Sequence, residues 1–442
     1  MSEVIVLNKK IHNFNKKISI SGDKSLSIRW VLFSSIASGT SRAYNLLMSE
    51  DVLAAIDAVK KLGIKVDINK DYCEIHGKGI NGYQIKDNLT IDAKNSGTLG
   101  RLILGLLVNS TQTIKIIGDK SLSKRDFRRV AEPLKKFGVK CKLNRNKGLP
   151  LTITGSNFLK PINYLENKGS AQCKSSIIFA ALKTPGTTYI KAKKSRNHTE
   201  LLCKHLNLPV HVQSKKKYDF IKVNKANKIN SFNYKIPSDI SSSAFFIVLT
   251  ALSQKSKLII KNVNINPSRT GVIIILKKMG VRITFKNKKI YKGEKIADIE
   301  VKSSNKLKSI NCPTSLNSSA IDEFLVIFLV AAKAKGLSYF KDLAELNQKE
   351  SPRLKWGSKI LNKMGIKTEL TKDSIKIYGN PNLKITKQVV IKNYLKDHRV
   401  FMMSTIAALT CGGQWDIHDK DSINTSFPSF LKILKKINNR PL

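Results

Sequence analysis

Apolar residues along this chain gather in runs too long for strands and too apolar on every side for surface helices. They predict inner helices over Asp23 to Ile36, Ser96 to Val108, Ser170 to Leu182, Ser238 to Leu252, Asp322 to Ala334 and Asp397 to Leu409. Nearly all open on Ser, Asp or Asn, whose side chains satisfy the free N–H groups of a first turn. Stretches such as ISSSAFFIVLTALS and DEFLVIFLVAA have no polar face, so they belong in an interior with strands packed outside them. A second type of helix ends on KKLGIKV (Lys60 to Val66), KKFGVK (Lys135 to Lys140), KKMGVRI (Lys277 to Ile283) and NKMGIKT (Asn362 to Thr368). Basic residues in a last turn with Gly just beyond it are helix-stop chemistry, so these glycines are read as structural. Together the pattern is a βαβαββ-like unit recurring about six times, at intervals of roughly 70 to 80 residues.

Counting units gives an α/β protein of two domains. Three repeats fall in residues 22–236 and three in 237–442, with Ile236-Pro237-Ser238 a natural crossing. Residues 1–21, with a strand expected in Glu3 to Ile20, are assigned to the second domain by chain economy. The Lys- and Asn-rich stretches Gln213 to Ser231 and Asn287 to Lys295 read as surface excursions without a motif.

Composition alters this picture little. At 442 residues and 41% hydrophobic content the chain has ample material for two cores. A net charge of +48 raises nucleic acid as a partner, yet the lysines are spread along the chain and aromatics make up 7%. No basic run is interleaved with stacking aromatics, so neither nucleic acid nor membrane is expected as a partner. Diffuse positive charge steers small polyanions. Cys73, Cys141, Cys173, Cys203, Cys312 and Cys411 form no CxxC pair, so neither a metal site nor a disulfide framework is expected. The start MSEVIVLNKK has no signal-peptide layout, and the expectation is a cytoplasmic monomer.

The chemistry concentrates at the unit starts. Ser21 to Trp30, SGDKSLSIRW, sets Gly22, Lys24, Ser25 and Arg29 around a helix N-terminus, where free N–H groups and the helix dipole attract anions. The second unit adds Asn95, Gly97, Thr98 and Arg101, then Lys124 and Arg125; the third adds Ser170, Gln172 and Lys174, then Ser195 and Arg196. The second half contributes Asp239, Arg269, Asp322, Glu323, Lys349, Glu350, Arg353, His398 and Arg399. Cations and hydroxyls dominate the first half and carboxylates join in the second, a combination suited to binding polyanions and moving protons. Alone, Asp322 would be read as a helix N-cap, Glu323 is its closest competitor as a proton carrier, and His398 is read as a packed histidine without a role.

Nine of these pieces, GDKSLSIR, NSGT followed by Arg101, SLSKR, SAQCKS, SRNHTE, NPSRTG, IDE, KESPR and DHR, occur in the order and spacing of one family. The chain resembles the 5-enolpyruvylshikimate-3-phosphate synthases from about Lys17 to Leu434. The resemblance implies two inverted α/β barrel-like domains, each of three βαβαββ repeats with buried parallel helices, closing over the substrates. It implies transfer of the enolpyruvyl group of phosphoenolpyruvate to shikimate 3-phosphate, with no metal or organic cofactor. Shikimate 3-phosphate would meet Lys24, Ser25, Arg29, Ser170, Ala171, Gln172, Ser195, Asp322 and Lys349. Phosphoenolpyruvate would meet Lys24, Gly97, Arg125, Gln172, Arg353 and Arg399. By the same resemblance Asp322 takes the hydroxyl proton, Glu350 protonates the methylene carbon and Lys24 stabilises the departing phosphate. Gly97, lacking a methyl, implies inhibition by glyphosate in competition with phosphoenolpyruvate.

The family commonly reads KESDR where this chain has Lys349-Glu350-Ser351-Pro352-Arg353, so one carboxylate is missing beside Arg353. Ser351 is expected to cap the helix that follows, with Pro352 in its first position. Two rivals stand beside this reading: a UDP-N-acetylglucosamine enolpyruvyl transferase, whose loop cysteine is absent from SLSKRDF, and a basic RNA-binding or RNA-end-processing protein.

Overall fold

The computed structural model describes residues 3–145 and 147–438. They divide into two compact units: Gly22–Ile236 with Tyr291–Glu294, and the remainder, comprising the segment up to Ser21, residues 237–290 and the chain from Lys295. Each unit has its own hydrophobic core.

Three sheets surround the N-terminal unit's core. In the second repeat Thr90–Asp92 runs parallel to Thr113–Ile117, which pairs antiparallel with Gly148–Thr154, itself antiparallel to Lys140–Asn144. The third repeat copies this order with Asn163–Glu166, Thr187–Lys193, Tyr218–Asn224 and Val210–Ser214. In the first repeat the parallel strand is Tyr234–Lys235, at the far end of the unit, beside Ser38–Tyr44. The unit therefore closes on itself where the chain leaves it. Gly22 sits at that closure, and a Cβ there would lie 2.2 Å from the Asn45 carbonyl and 2.6 Å from Ile236 Cγ2, so only glycine fits.

In the C-terminal unit the same order is completed by borrowed strands. Asn15–Ile18 is the parallel partner of Lys257–Asn264, and Ile5–Leu7 the antiparallel partner of Trp415–Ile417. The expected single strand in Glu3 to Ile20 is thus two strands serving two sheets. The fifth repeat keeps Gly336–Phe340, Ile375–Gly379 and Thr368–Leu370, its parallel strand reduced to bridges at Lys308 and Asn311.

The six inner helices run over Lys24–Ser35, Gly97–Leu106, Ala171–Lys183, Ile240–Leu252, Phe324–Lys333 and His398–Cys411. Five are capped by side chains, of Asp23, Ser96, Ser170, Asp239 and Asp397, each accepting from a first-turn N–H. Two starts differ from expectation. The fourth helix is capped by Asp239 rather than Ser238, whose hydroxyl donates to the Ile20 carbonyl at 2.9 Å. The fifth begins after Glu323, which makes no capping bond, so the N-cap reading of Asp322 fails.

The stop glycines behave as expected, Gly63, Gly138, Gly280 and Gly365 having φ of +82°, +98°, +89° and +87°. In the third repeat Asn207 takes that place at φ +52°. The two supposed surface excursions are corrected. Gln213 to Ser231 contains most of an edge hairpin whose inward residues are Asp219, Ile221 and Val223. Asn287 to Lys295 is the end of a long hairpin, and residues 291–294 at its tip belong to the N-terminal unit although they were expected in the second domain. There Glu294 Oε1 lies 2.6 Å from His198 Nδ1, both side chains buried.

Candidate active site

In the N-terminal unit the starts of the inner helices are tied together by the side chains that the sequence singles out. Arg29, four residues beyond Ser25 and so on its face, reaches back with Nη1 at 2.5 Å from Ser25 Oγ. Its other nitrogens donate to Thr199 Oγ1 at 2.8 Å and Ser175 Oγ at 3.0 Å, linking the first and third inner helices. Arg101 Nη1 donates to Gln172 Oε1 at 2.6 Å, and Gln172 Nε2 donates to Thr98 Oγ1 at 3.0 Å, which joins the second to the third. Three helix N-termini thereby share one neighbourhood, where dipole ends and cations add in sign.

Lys24, the first residue of its helix, is 2.8 Å from Asp51 at the start of the following helix. Gly97 lies beside two guanidinium groups: a Cβ built there would sit 2.9 Å from Arg101 Nη1 and 3.2 Å from Arg125 Nη1. Ser170 accepts from the Cys173 N–H at 3.3 Å, which leaves its O–H free to donate elsewhere. Ser195 is half-buried, and its Oγ has no hydrogen-bond partner among the described residues. Ala171 is half-exposed at the helix start and contributes no polar side chain. Lys174 departs from expectation, because it is wholly buried and paired with Glu200 at 2.6 Å. Lys124 is exposed to solvent.

In the C-terminal unit the carboxylates gather around Arg353. Its guanidinium, 2% exposed, donates to Asp397 Oδ2 at 2.8 Å and Oδ1 at 3.1 Å and to Glu350 Oε2 at 2.6 Å, and lies 3.5 Å from Asp322 Oδ1. Burial works to lower the guanidinium's pKa but is outweighed by Asp397, Glu350 and Asp322, which hold it firmly protonated. Three carboxylates thus surround Arg353 although position 352 supplies none. Ser351 does not cap; its hydroxyl donates to Asp397 Oδ2 at 2.9 Å, and Pro352 occupies the cap position itself.

Asp322 is half-buried, with Lys349 Nζ 3.5 Å from Oδ1 and its own carbonyl accepting from Arg399 Nη1 at 2.6 Å. Glu323 is fully buried and accepts from Ser241 Oγ, which in turn accepts from Arg269 Nη2 at 2.7 Å. Of the two neighbouring acids, Asp322 has the more accessible carboxylate.

Sequence reasoning missed Asp397 and His398 as parts of this cluster. His398 Nδ1 is 3.1 Å from Glu350 Oε2 and 3.3 Å from Thr425 Oγ1. The available signal was their place in DHR, at the start of an inner helix like the other site residues. Thr199 and Ser175, which hold Arg29, lay inside SRNHTE and SAQCKS but carried no charge to draw notice.

Residues 8–434 match the family EPSP synthase (3-phosphoshikimate 1-carboxyvinyltransferase). The chain belongs to this family. A relative named 3-phosphoshikimate 1-carboxyvinyltransferase from Ruthia magnifica subsp. Calyptogena magnifica is 39% identical over 99% of this chain and 98% of its own. One of the same name from Bacillus cytotoxicus is 38% identical, over 96% and 98%. The solved EPSP synthase of Acinetobacter baumannii superposes with a TM-score of 0.86 at 35% identity, covering 98% of both chains. The enolpyruvyl transferase NikO from Streptomyces tendae shares the fold, at a TM-score of 0.76 and 13% identity over 99% of this chain and 98% of its own. The family's two-unit, inside-out α/β fold accounts for inner helices with sheets outside them.

Proposed function

We propose that this chain transfers the enolpyruvyl group of phosphoenolpyruvate to the 5-hydroxyl of shikimate 3-phosphate and releases phosphate. The observation that carries this reading is full-length similarity to relatives named for that activity. The side-chain chemistry supports it. Arg29, Ser25, Ser170, Gln172 and Ser195 supply the guanidinium, hydroxyl and amide groups that orient a phosphorylated, hydroxyl-bearing ring. Arg125, Arg353, Arg399 and Lys24 supply charge for a carboxylate and a phosphate, and Gly97 leaves room beside Arg125.

In the proposed mechanism Asp322 accepts the 5-hydroxyl proton as the oxygen attacks C2 of phosphoenolpyruvate, while Glu350 gives a proton to C3. A bond from oxygen to C2 forms, and C3 becomes a methyl group. In the second step C3 returns a proton to the Glu350 carboxylate, the C–O bond to phosphate breaks with its electron pair going to the phosphate, and the enol double bond is restored as phosphate departs beside Lys24. Arg353 binds Glu350 and lies near Asp322, so it holds two acids in one place. His398 Nδ1 meets the same Glu350 oxygen, Oε2, that Arg353 binds, so two nitrogens fix that side of the carboxyl.

A phosphate-release assay with phosphoenolpyruvate and shikimate 3-phosphate tests the reading. Release that requires shikimate 3-phosphate is expected; release with UDP-N-acetylglucosamine instead would overturn it. Polynucleotide that binds with steep salt dependence and abolishes turnover would favour the basic RNA-binding alternative. The same reading carries the expectation of a cytoplasmic monomer, which size-exclusion chromatography checks for assembly. Among the described residues no helix is long and apolar enough to cross a membrane.

A further inference from the structure

Three sheets of one strand order surround the N-terminal unit's core, so their outer faces, turned away from the inner helices, can be compared position by position. In the third-repeat sheet the outward residues of Thr187–Lys193 and Tyr218–Asn224 set ring against ammonium. Tyr189 stands opposite Lys222, Phe220 opposite Lys191 and Tyr218 opposite Lys193. Tyr189 is 51% exposed and the three lysines are exposed, while Phe220 and Tyr218 are half-buried beside them. Lys191 Nζ lies 5.0 Å from the centre of the Tyr218 ring, and Lys215 Nζ lies 5.0 Å from that of Phe220. An open trough of about 770 Å³ crosses this face over Leu165, Tyr189, Phe220 and His211. The only acids on the four strands, Glu166 and Asp219, are buried on the opposite face, so the lysines meet no carboxylate from their own sheet. The sister sheets lack this combination. Strands of the second repeat hold no aromatic residue. In the first, Arg42 lies over the Tyr72 ring but is bound by Glu74 at 2.6 Å.

We propose that the outer face of the third-repeat sheet binds single-stranded polynucleotide, with unpaired bases stacking on Tyr189, Phe220 and Tyr218 and phosphates meeting Lys191, Lys193 and Lys222. Successive outward residues stand about 6.7 Å apart along a strand, close to the length of one extended nucleotide. A duplex keeps its bases stacked on one another and offers the rings nothing, and a second copy of this chain would bring lysine against lysine. A bilayer calls for protruding aliphatic side chains, of which this face has one, Leu165. The linear sequence hides the pattern, because rings and lysines interleave only when two strands distant in sequence pair. The inference does not rest on the enolpyruvyl reading.

A chain of net charge +48 attracts polynucleotide everywhere, so the test isolates the rings. Fluorescence anisotropy of a labelled oligouridylate is read with the full chain and three variants: Tyr189→Ala/Phe220→Ala, Lys191→Gln/Lys222→Gln, and Lys140→Gln/Lys142→Gln on the exposed side of the second-repeat sheet. Loss of the two rings should weaken binding about tenfold or more without changing its salt dependence, because stacking releases no counterions. Lys191→Gln/Lys222→Gln should weaken it and make the logarithmic salt slope shallower by about 1.4. Lys140→Gln/Lys142→Gln should bind nearly as tightly as the parent. Photocrosslinking of a bromouridine-substituted strand to the unsubstituted protein gives a readout that no folding defect can disturb, and crosslinks are expected at Tyr189, Phe220 or Tyr218. A ring variant that folds and binds like its parent, equal losses from the two lysine pairs, or a duplex bound as tightly as the single strand would overturn the proposal. So would crosslinks confined to the helix starts around Arg29 and Arg125. Ring-dependent sedimentation with phosphatidylserine vesicles, by a chain that ignores the oligonucleotide, would replace it with a membrane-binding face.

Discussion

At the scale of single residues the proposed chemistry turns on two carboxylates, Asp322 beside Lys349 and Glu350 held by Arg353. Asp322 and Glu350 carry the proton-transfer proposal, and their neutral isosteres, Asp322→Asn and Glu350→Gln, should each lower kcat on the order of a hundredfold or more with both substrates still bound. Glu323→Gln is the control. Its carboxylate is buried on Ser241, so the substitution should cost stability and leave kcat within a few-fold. Steady-state kinetics on the three variants decides, and a kcat collapse confined to Glu323→Gln would reverse the assignment. Gly97 has no side chain, and a methyl there would meet two guanidinium ends at 2.9 and 3.2 Å and Leu122 Cδ1 at 3.5 Å. Guanidinium ends can give way, so Gly97→Ala should fold, but it displaces Arg125 from a proposed phosphoenolpyruvate contact. Overfilling a tight site costs about 1 to 3 kcal/mol, so glyphosate inhibition should weaken roughly ten- to a hundredfold, with a smaller rise in KM for phosphoenolpyruvate. Inhibition constants for the two proteins check this, and an unchanged constant would remove Gly97 from control of the pocket. The charge surrounding Arg353 was not legible, because Asp397 is far from it in sequence and reads as an ordinary helix cap. It does cap, accepting from Arg399 N at 3.0 Å, and it also grips Arg353.

At the scale of elements the inner helices were legible because burial on all sides leaves a run of apolar residues that no surface helix has. Their first residues were less so. A start such as PSDISSS offers Ser238 and Asp239 as rival caps, and the choice of Asp239 follows from Ser238 bonding to the Ile20 carbonyl, a contact distant in sequence. Strands with lysine on their outer face resemble loops for a related reason: in YDFIKVN the inward set is Asp219, Ile221 and Val223, and a buried Asp breaks the alternation of apolar and polar residues. The end of the third inner helix gives a pH-dependent prediction. Lys183, 6% exposed, donates to Asn109 Oδ1 at 2.9 Å. With burial bringing its folded pKa to about 7, below the unfolded value of about 10.4, it destabilises the fold fully below pH 7 and less as pH rises towards 10. Lys183→Met removes that penalty, so it should raise Tm more at pH 6 than at pH 9. Any loss from the unpaired Asn109 oxygen is common to both pH values and cancels in the comparison. Equal shifts measured by calorimetry at the two pH values would mean that the amine titrates normally.

At the scale of the whole molecule the order of strands makes the two units unequal in what they need from the rest of the chain. The breaks after Ser21 and Ile236 fall beside Gly22 and Pro237, residues whose backbone requirements stand out in a sequence. The excursion of residues 291–294 has no such mark, since YKGE reads as any hairpin turn and the seat of Glu294 against His198 lies almost a hundred residues away. All three sheets of the N-terminal unit are built from residues 38–235. A fragment of residues 22–236 lacks the hairpin tip, which leaves His198 uncovered, yet retains every strand and nearly all of its core. It should unfold in one cooperative transition at a lowered Tm. Residues 237–442 are in a different position, because without the N-terminal segment they lose Asn15–Ile18 and Ile5–Leu7, opening the edges of two sheets. They also lose the buried side chains of Leu7, Ile11, Phe14, Ile18 and Ile20. At about 1.5 to 3 kcal/mol each, burial of those five contributes on the order of 10 kcal/mol, as much as the whole net stability of a typical domain. That fragment should therefore show no cooperative melt by circular dichroism until a peptide of residues 1–21 is supplied in trans or fused after residue 442. A sigmoidal melt of 237–442 alone, or none for 22–236, would mean that the borrowed strands do not decide which unit stands by itself.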